Sequence, residues 1–273
     1  MADPTTFQPV PFEDRYEIRR QLWLDGAHGG WLAFDRLMRR EVILNIPYRP
    51  DDNERFLFAA QLRARLRHAS LIPIYDFNVT SEGKPYFTDP YLETLDLRAF
   101  PCDEPDSALP KRIRFLLHVC DALGFVHANN LLHLDLQPSN VLITQPFEEV
   151  FLIRGHPSLP AAVMASENDN MLGARIVGTP AYMAPEQAHP DRFGPATART
   201  DVYGLGGILY FVLYGNSPNV GQTQTARDIR DIIESLADRK GPPSPGRLQF
   251  TQASPRELAK RLEPICQRAL HSD

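Results

Sequence analysis

A chain of 273 residues, 43% hydrophobic and 23% charged, has the makeup of a globular unit that buries one large core or two modest lobes. Its net charge of -5 gives no basic surplus for a nucleic-acid backbone, and three cysteines, Cys102, Cys120 and Cys266, have no paired spacing for a disulfide framework or a zinc site. The amino terminus lacks a basic flank followed by an apolar run, and the most apolar window, Leu205 to Tyr214, is too short to span a bilayer, so no membrane association within these residues and a cytoplasmic location are expected.

Residues 1–15 are rich in Pro and Asp and read as a leader that need not fold, with the first ordered element near Tyr16. From 16 to 95 the chain alternates strand-like runs (WLAF, EVILNI, IPIYDF, PYFT) with one helical window, Asn53 to His68, whose Phe56, Ala59, Ala60 and Arg63 share a face. From 96 to 273 helical periodicity takes over. Ile113, Leu116, Leu117, Cys120, Leu123 and Val126 recur at helical spacing, and further windows follow at 200–215, 224–238 and 255–270. The expected class is α+β, with a small, mostly-β lobe carrying one helix, followed by a larger, mostly helical lobe.

Three segments carry chemistry. His133-Leu-Asp-Leu-Gln-Pro-Ser-Asn140, followed by Val-Leu-Ile, joins an Asp and an Asn at fixed spacing after a helix and before an apolar triplet. Gly178-Thr-Pro-Ala-Tyr-Met-Ala-Pro-Glu186 and Arg199-Thr-Asp-Val-Tyr-Gly-Leu-Gly206 follow in order. Together they resemble the catalytic loop, the substrate-docking loop with its closing Ala-Pro-Glu, and the start of the central helix of the protein kinase family, closest to bacterial Ser/Thr kinases. The resemblance runs from Tyr16 to the carboxyl end. It implies a two-lobed fold, with Asp135 orienting a substrate hydroxyl and Asn140 holding metal.

Elsewhere the family pattern fails. Its three phosphate-loop glycines align with Trp23, Asp25 and His28, while Gly26, Gly29 and Gly30 are out of register. An indole blocks the close approach of backbone N–H groups to phosphate, and a carboxylate repels it. The β3 lysine aligns with Asn45 in Val42-Ile43-Leu44-Asn45, and its helix glutamate with Ala59. Loss of both members strands no charge, so a lobe adapted to having no pair is expected. In the adenine slot the family's small Ala becomes Ile43 and its Val becomes Gly30, with Leu142 retained as the lower wall; the remnant slot is expected to be empty. Asp89 stands at the gatekeeper, and Pro90 after it offers no backbone donor. The metal-binding Asp-Phe-Gly aligns with Arg154-Gly155-His156, or one residue earlier with Ile153-Arg154-Gly155, and neither register supplies the Asp. Leu134 and Gln137 replace the loop's Arg and Lys.

These departures imply a pseudokinase, a binding or allosteric module in Ser/Thr kinase-type signalling, with other signalling proteins as partners and no cofactor. The alternative is an active or weakly active Ser/Thr kinase that uses Mg-ATP in an unorthodox site. Three local expectations accompany this reading: Asp201 holds catalytic-loop backbone; Glu186 lacks its family arginine and is solvent-exposed, more readily protonated or paired with another residue such as Arg199; and Arg154 either clasps Asp135 or Asn140 or points to solvent.

Overall fold

In the computed structural model, the described residues are 11–24, 28–100, 105–145, 149–153, 179–219, 234, 236, 238, 243–244 and 246–271. The chain divides into two compact units, residues 1–67 with 72–93, and residues 68–71 with 94–273.

The first unit is a five-stranded antiparallel sheet in the order β1-β2-β3-β5-β4, formed by Tyr16–Leu24, His28–Asp35, Arg40–Pro47, Asp76–Val79 (β4) and Pro85–Pro90 (β5). Of the run IPIYDF only the last two residues join a strand, since β4 opens at Asp76. The helix α2, Asn53–Arg65, buries Phe56, Ala59 and Ala60, the side expected from their spacing. Before β1, Phe12–Arg15 makes one helical turn, α1. Phe12 meets the rings of Tyr16 and Tyr86, and Arg15 bonds Asp35 (3.0 Å) and Asp76 (2.5 Å). Asp35 also accepts the N–H groups of Leu37 and Met38, which closes the β2–β3 turn.

The second unit is mostly helical, with a small sheet of β6 (Thr94–Asp96), β7 (Val141–Thr144) and β8 (Val150–Leu152). Its core gathers around α3, Pro105–Ala128, and α6, Ala198–Tyr214. In α3 the buried stripe is Leu109, Phe115, Leu116, Val119, Leu123 and Val126. Leu117 and Cys120, placed on that stripe by spacing alone, are exposed, because Phe115 and Val119 take the inward positions. Two short helices, α4 (Pro185–Ala188) and α5 (Pro190–Phe193), precede α6. Thr197 and Thr200 cap α6 reciprocally, and Gly215 ends it in the left-handed conformation. The last helix, α7, Ala253–Ala269, approaches α6 closely at Gly206, where a side chain would strike Ala269. The window read at 224–238 lies almost entirely outside the described residues. No helix among the described residues is long and apolar enough to cross a membrane.

Candidate functional site

The loop between α3 and β7 carries Asp135 and Asn140. Its course is fixed from beneath by Asp201, in the first turn of α6, where a buried carboxylate meets unpaired backbone donors. Asp201 accepts the N–H of His133 (2.8 Å) and of Leu134 (2.7 Å), and pairs with His127 Nε2 (2.8 Å). Leu134 has φ of 63°, a left-handed conformation that a leucine holds only when its surroundings dictate it. Two clamps do so: the Asp201 carboxylate on its N–H and the Gln187 amide on its C=O (2.8 Å). His133 is buried, and desolvation lowers its pKa against the opposing pull of Asp201 and Asp135.

These supports bring Asp135 and Asn140 together. The Asn140 amide donates to Asp135 Oδ2 at 2.9 Å and to the Asp135 carbonyl at 2.7 Å. Gln137 donates to both carboxylate oxygens, at 3.1 and 3.2 Å, and to Thr179 Oγ1 at 2.5 Å, while Thr179 donates to Asp135 Oδ1 at 2.9 Å. Asp135 thus faces amides and a hydroxyl, each neutral. Asn140 C=O also accepts the Ile153 N–H (2.8 Å), which anchors the chain after β8. Arg154, the residue expected to clasp this group, lies outside the described residues, as do Gly155, His156 and Asp25. Leu142 is half-buried, since Val141 and Ile143 alternate with it into the helical core. Glu186 takes Thr200 rather than Arg199 as its described partner, with the hydroxyl donating at 2.6 Å.

In the β unit, the pairing of β2 with β3 and of β3 with β5 puts Gly30, Asn45 and Phe87 in one row and Leu32, Ile43 and Asp89 in the next. Ile43 is half-buried and Asn45 is 2% exposed. The Asn45 amide donates to the Ile43 carbonyl and to Asp89 Oδ2, both at 3.2 Å. Arg63 of α2 donates to Asp89 Oδ1 at 3.0 Å. The family positions Asn45 and Ala59 carry no charge, and a different charged pair stands nearby. A pair exists between Arg63 and Asp89, and sequence reasoning missed it because partners 26 residues apart are joined only by the fold. The available signal was two apparent defects, an acid at a buried strand position and an arginine on the apolar face of α2. The lone lysine of this unit, Lys84, sits in the β4–β5 turn.

Trp23 pairs across the ladder with Gly30, and its indole lies on that glycine, where a Cβ would overlap the ring. From Trp23 a run of rings continues through His28 (centroids 4.9 Å) and Phe56 (5.8 Å) to Phe87 (4.9 Å, stacked).

Against known families, residues 47–273 match the model of the protein kinase domain. The chain belongs to the protein kinase family. It is 34% identical over 82% of its length to the DNA damage-responsive serine/threonine-protein kinase RqkA of Deinococcus radiodurans, covering 33% of that protein. It is 30% identical over 83% of its length to the serine/threonine-protein kinase PknB of Mycobacterium tuberculosis, covering 36% of it. It is 31% identical over 92% of its length to the serine/threonine-protein kinase PknD of Chlamydia caviae, covering 30% of it. The chain thus spans about a third of the length of these relatives. The α+β kinase fold read from the motifs is the fold of the family, with an antiparallel sheet in one lobe and helices in the other.

Proposed function

We propose that this chain is a pseudokinase domain, a binding or allosteric module for other signalling proteins, and that it transfers no phosphoryl group. One observation carries the reading. The strand position at which the family resemblance implies a phosphate-binding lysine holds Asn45, buried and bonded through its amide to Asp89. Phosphoryl transfer rests on positioned positive charge around the phosphates and metal, and here a neutral amide faces a carboxylate instead. A further observation supports it. The indole of Trp23 lies on Gly30, on the sheet row that also holds Asn45. On this reading Mg-ATP is not the chain's cofactor: the amide of Asn45 and the carboxylate of Asp89 offer no positive charge to phosphate. Ile43 and Leu142 are then remnants of an adenine slot, and Asp135 and Asn140 remnants of a catalytic pair.

A second reading, an active Ser/Thr kinase with an unorthodox site, draws on the network of Asp135, Asn140 and Thr179, which keeps a carboxylate and a carboxamide together beside a hydroxyl. A thermal-shift titration with ATP, with and without Mg²⁺, separates the two. The pseudokinase gains no stability in either titration at millimolar nucleotide. A Mg²⁺-dependent rise in melting temperature with autophosphorylation overturns the proposal, and a metal-independent rise identifies a nucleotide sensor.

A further inference from the structure

Asp89 is a carboxylate on a central strand, 8% exposed, where an acid is tolerated only if both oxygens are satisfied and its charge is met. Both conditions hold, and from two different elements. Arg63 of α2 supplies the charge to Oδ1, and Asn45 of β3 supplies an amide to Oδ2. The grip on α2 extends beyond this pair. The same Arg63 nitrogen donates to the Ile72 carbonyl at 3.4 Å, and the guanidinium lies 5.0 Å from the centre of the Phe87 ring. Phe87 stacks in turn on Phe56, two turns earlier on the same helix. One face of α2 is therefore held at two points along its axis, by a charge at its carboxyl end and by an aromatic stack near its amino end. Arg63 follows Ala59 and Ala60 by one turn, and those small residues leave it room to reach the sheet.

We propose that Arg63, Asp89 and Asn45 form an internal latch that sets α2 against β3 and β5 with no ligand bound. The latch has the opposite polarity to the pair implied by the family resemblance, with the cation on the helix and the acid on the strand. Asn45 is its neutral third member. A lysine there would compete with Arg63 for Asp89, whereas the amide adds a hydrogen bond and leaves the charge balance intact. Seen singly, Asn45 and Asp89 are losses. Together with Arg63 they are a replacement, and the setting of α2 then rests on described side chains of this unit. The inference stands independently of whether nucleotide binds.

Amide hydrogen exchange on the full chain without nucleotide tests it. Arg63→Ala and Asp89→Asn are each expected to speed exchange across α2 about tenfold, to leave α6 unchanged, and to give no further acceleration when combined, as members of one unit do. Propylguanidinium added to Arg63→Ala is expected to restore α2 protection where propylammonium does not, because only the planar fork reaches the carboxylate and the ring together. Unchanged α2 exchange in Asp89→Asn, or purely additive effects in the double variant, overturns the latch, and Asp89→Asn alone decides should Arg63→Ala not fold. Adding Mg-ATP to the wild-type protein separates this inference from the functional one: autophosphorylation with unchanged α2 exchange sinks the inactive reading and spares the latch, and nucleotide binding that alters α2 exchange overturns the latch's independence from ligand.

Discussion

On the proposed reading, the β unit and the helical unit depart from the family pattern in different ways. In the helical unit the described motif residues keep their places, and the catalytic-loop exchanges, Leu134 and Gln137, put neutral side chains for charged ones around a retained scaffold: Asp201 holds His133 and Leu134, and Asp135 meets Asn140 and Thr179. In the β unit the sheet order and helix persist while the chemistry on one face has been rebuilt, with Trp23 on Gly30 and Asp89 between Arg63 and Asn45. A fold is carried by burial and ladder pairing, which many side chains satisfy, whereas a phosphate site needs charge at fixed points. A scaffold can therefore outlast its site, and on the proposed reading the two units stand at different stages of that separation.

The comparison breaks most visibly at Asp201. Asp201→Ala leaves two buried backbone donors and the His127 ring without their acceptor and removes a clamp on the left-handed Leu134, so a loss of roughly 3 to 4 kcal/mol is expected. Asp135→Ala should cost about 1 kcal/mol, because the donors it frees are side chains at a half-buried site that can turn to water. Equal urea midpoints for the two variants would show that the loop is not built on Asp201. In the β unit, Gly30→Val forces a branched side chain into the indole, with an expected loss of about 2 kcal/mol that shrinks when Trp23→Ala is added. Additive unfolding energies would mean that ring and strand do not compete for one space.

A smaller effect sharpens the contrast at the leader. Burial pushes the Asp35 carboxyl up, but hydrogen bonds from Arg15 and from the N–H groups of Met38 and Leu37 outweigh it and hold the pKa below the usual value. The contribution of Asp35 is therefore present above about pH 4 and is lost as pH falls through its folded value. Asp35→Asn should be less stable than wild type near neutrality and approach it in acid. A stability difference that stays constant from pH 6 to pH 3 refutes the pairing.

How much of this the sequence displayed depended on the reach of each contact. The catalytic loop, the Ala-Pro-Glu segment and the α6 start were legible because each is a contiguous motif, and the role of Asp201 followed from them. Asp135 and Asn140 lie five residues apart, so their meeting was legible as well. Glu186 was expected to be exposed, more readily protonated or paired with some other residue, and the buried Thr200, next to the Arg199 offered as an example, supplies its hydroxyl, a distinction of helical phase that charge alone does not make. The Arg63–Asp89 pair was missed, because periodicity reports which face a residue occupies and says nothing of which strand that face meets. Apolar spacing in α3 likewise cannot tell Leu117 from Val119 when both fit a helical stripe.

The contact of Trp23 with Gly30 also bears on the mutational routes open to the chain. A side chain at position 30 clashes while the indole is in place, and shrinking the indole first leaves a void beside a bare glycine. Either single step lowers stability, and only the two together restore a packed surface. The pair is thus a small valley between two sequence states, and every later substitution that packs on the indole, beginning with the His28 ring against it, makes the valley deeper.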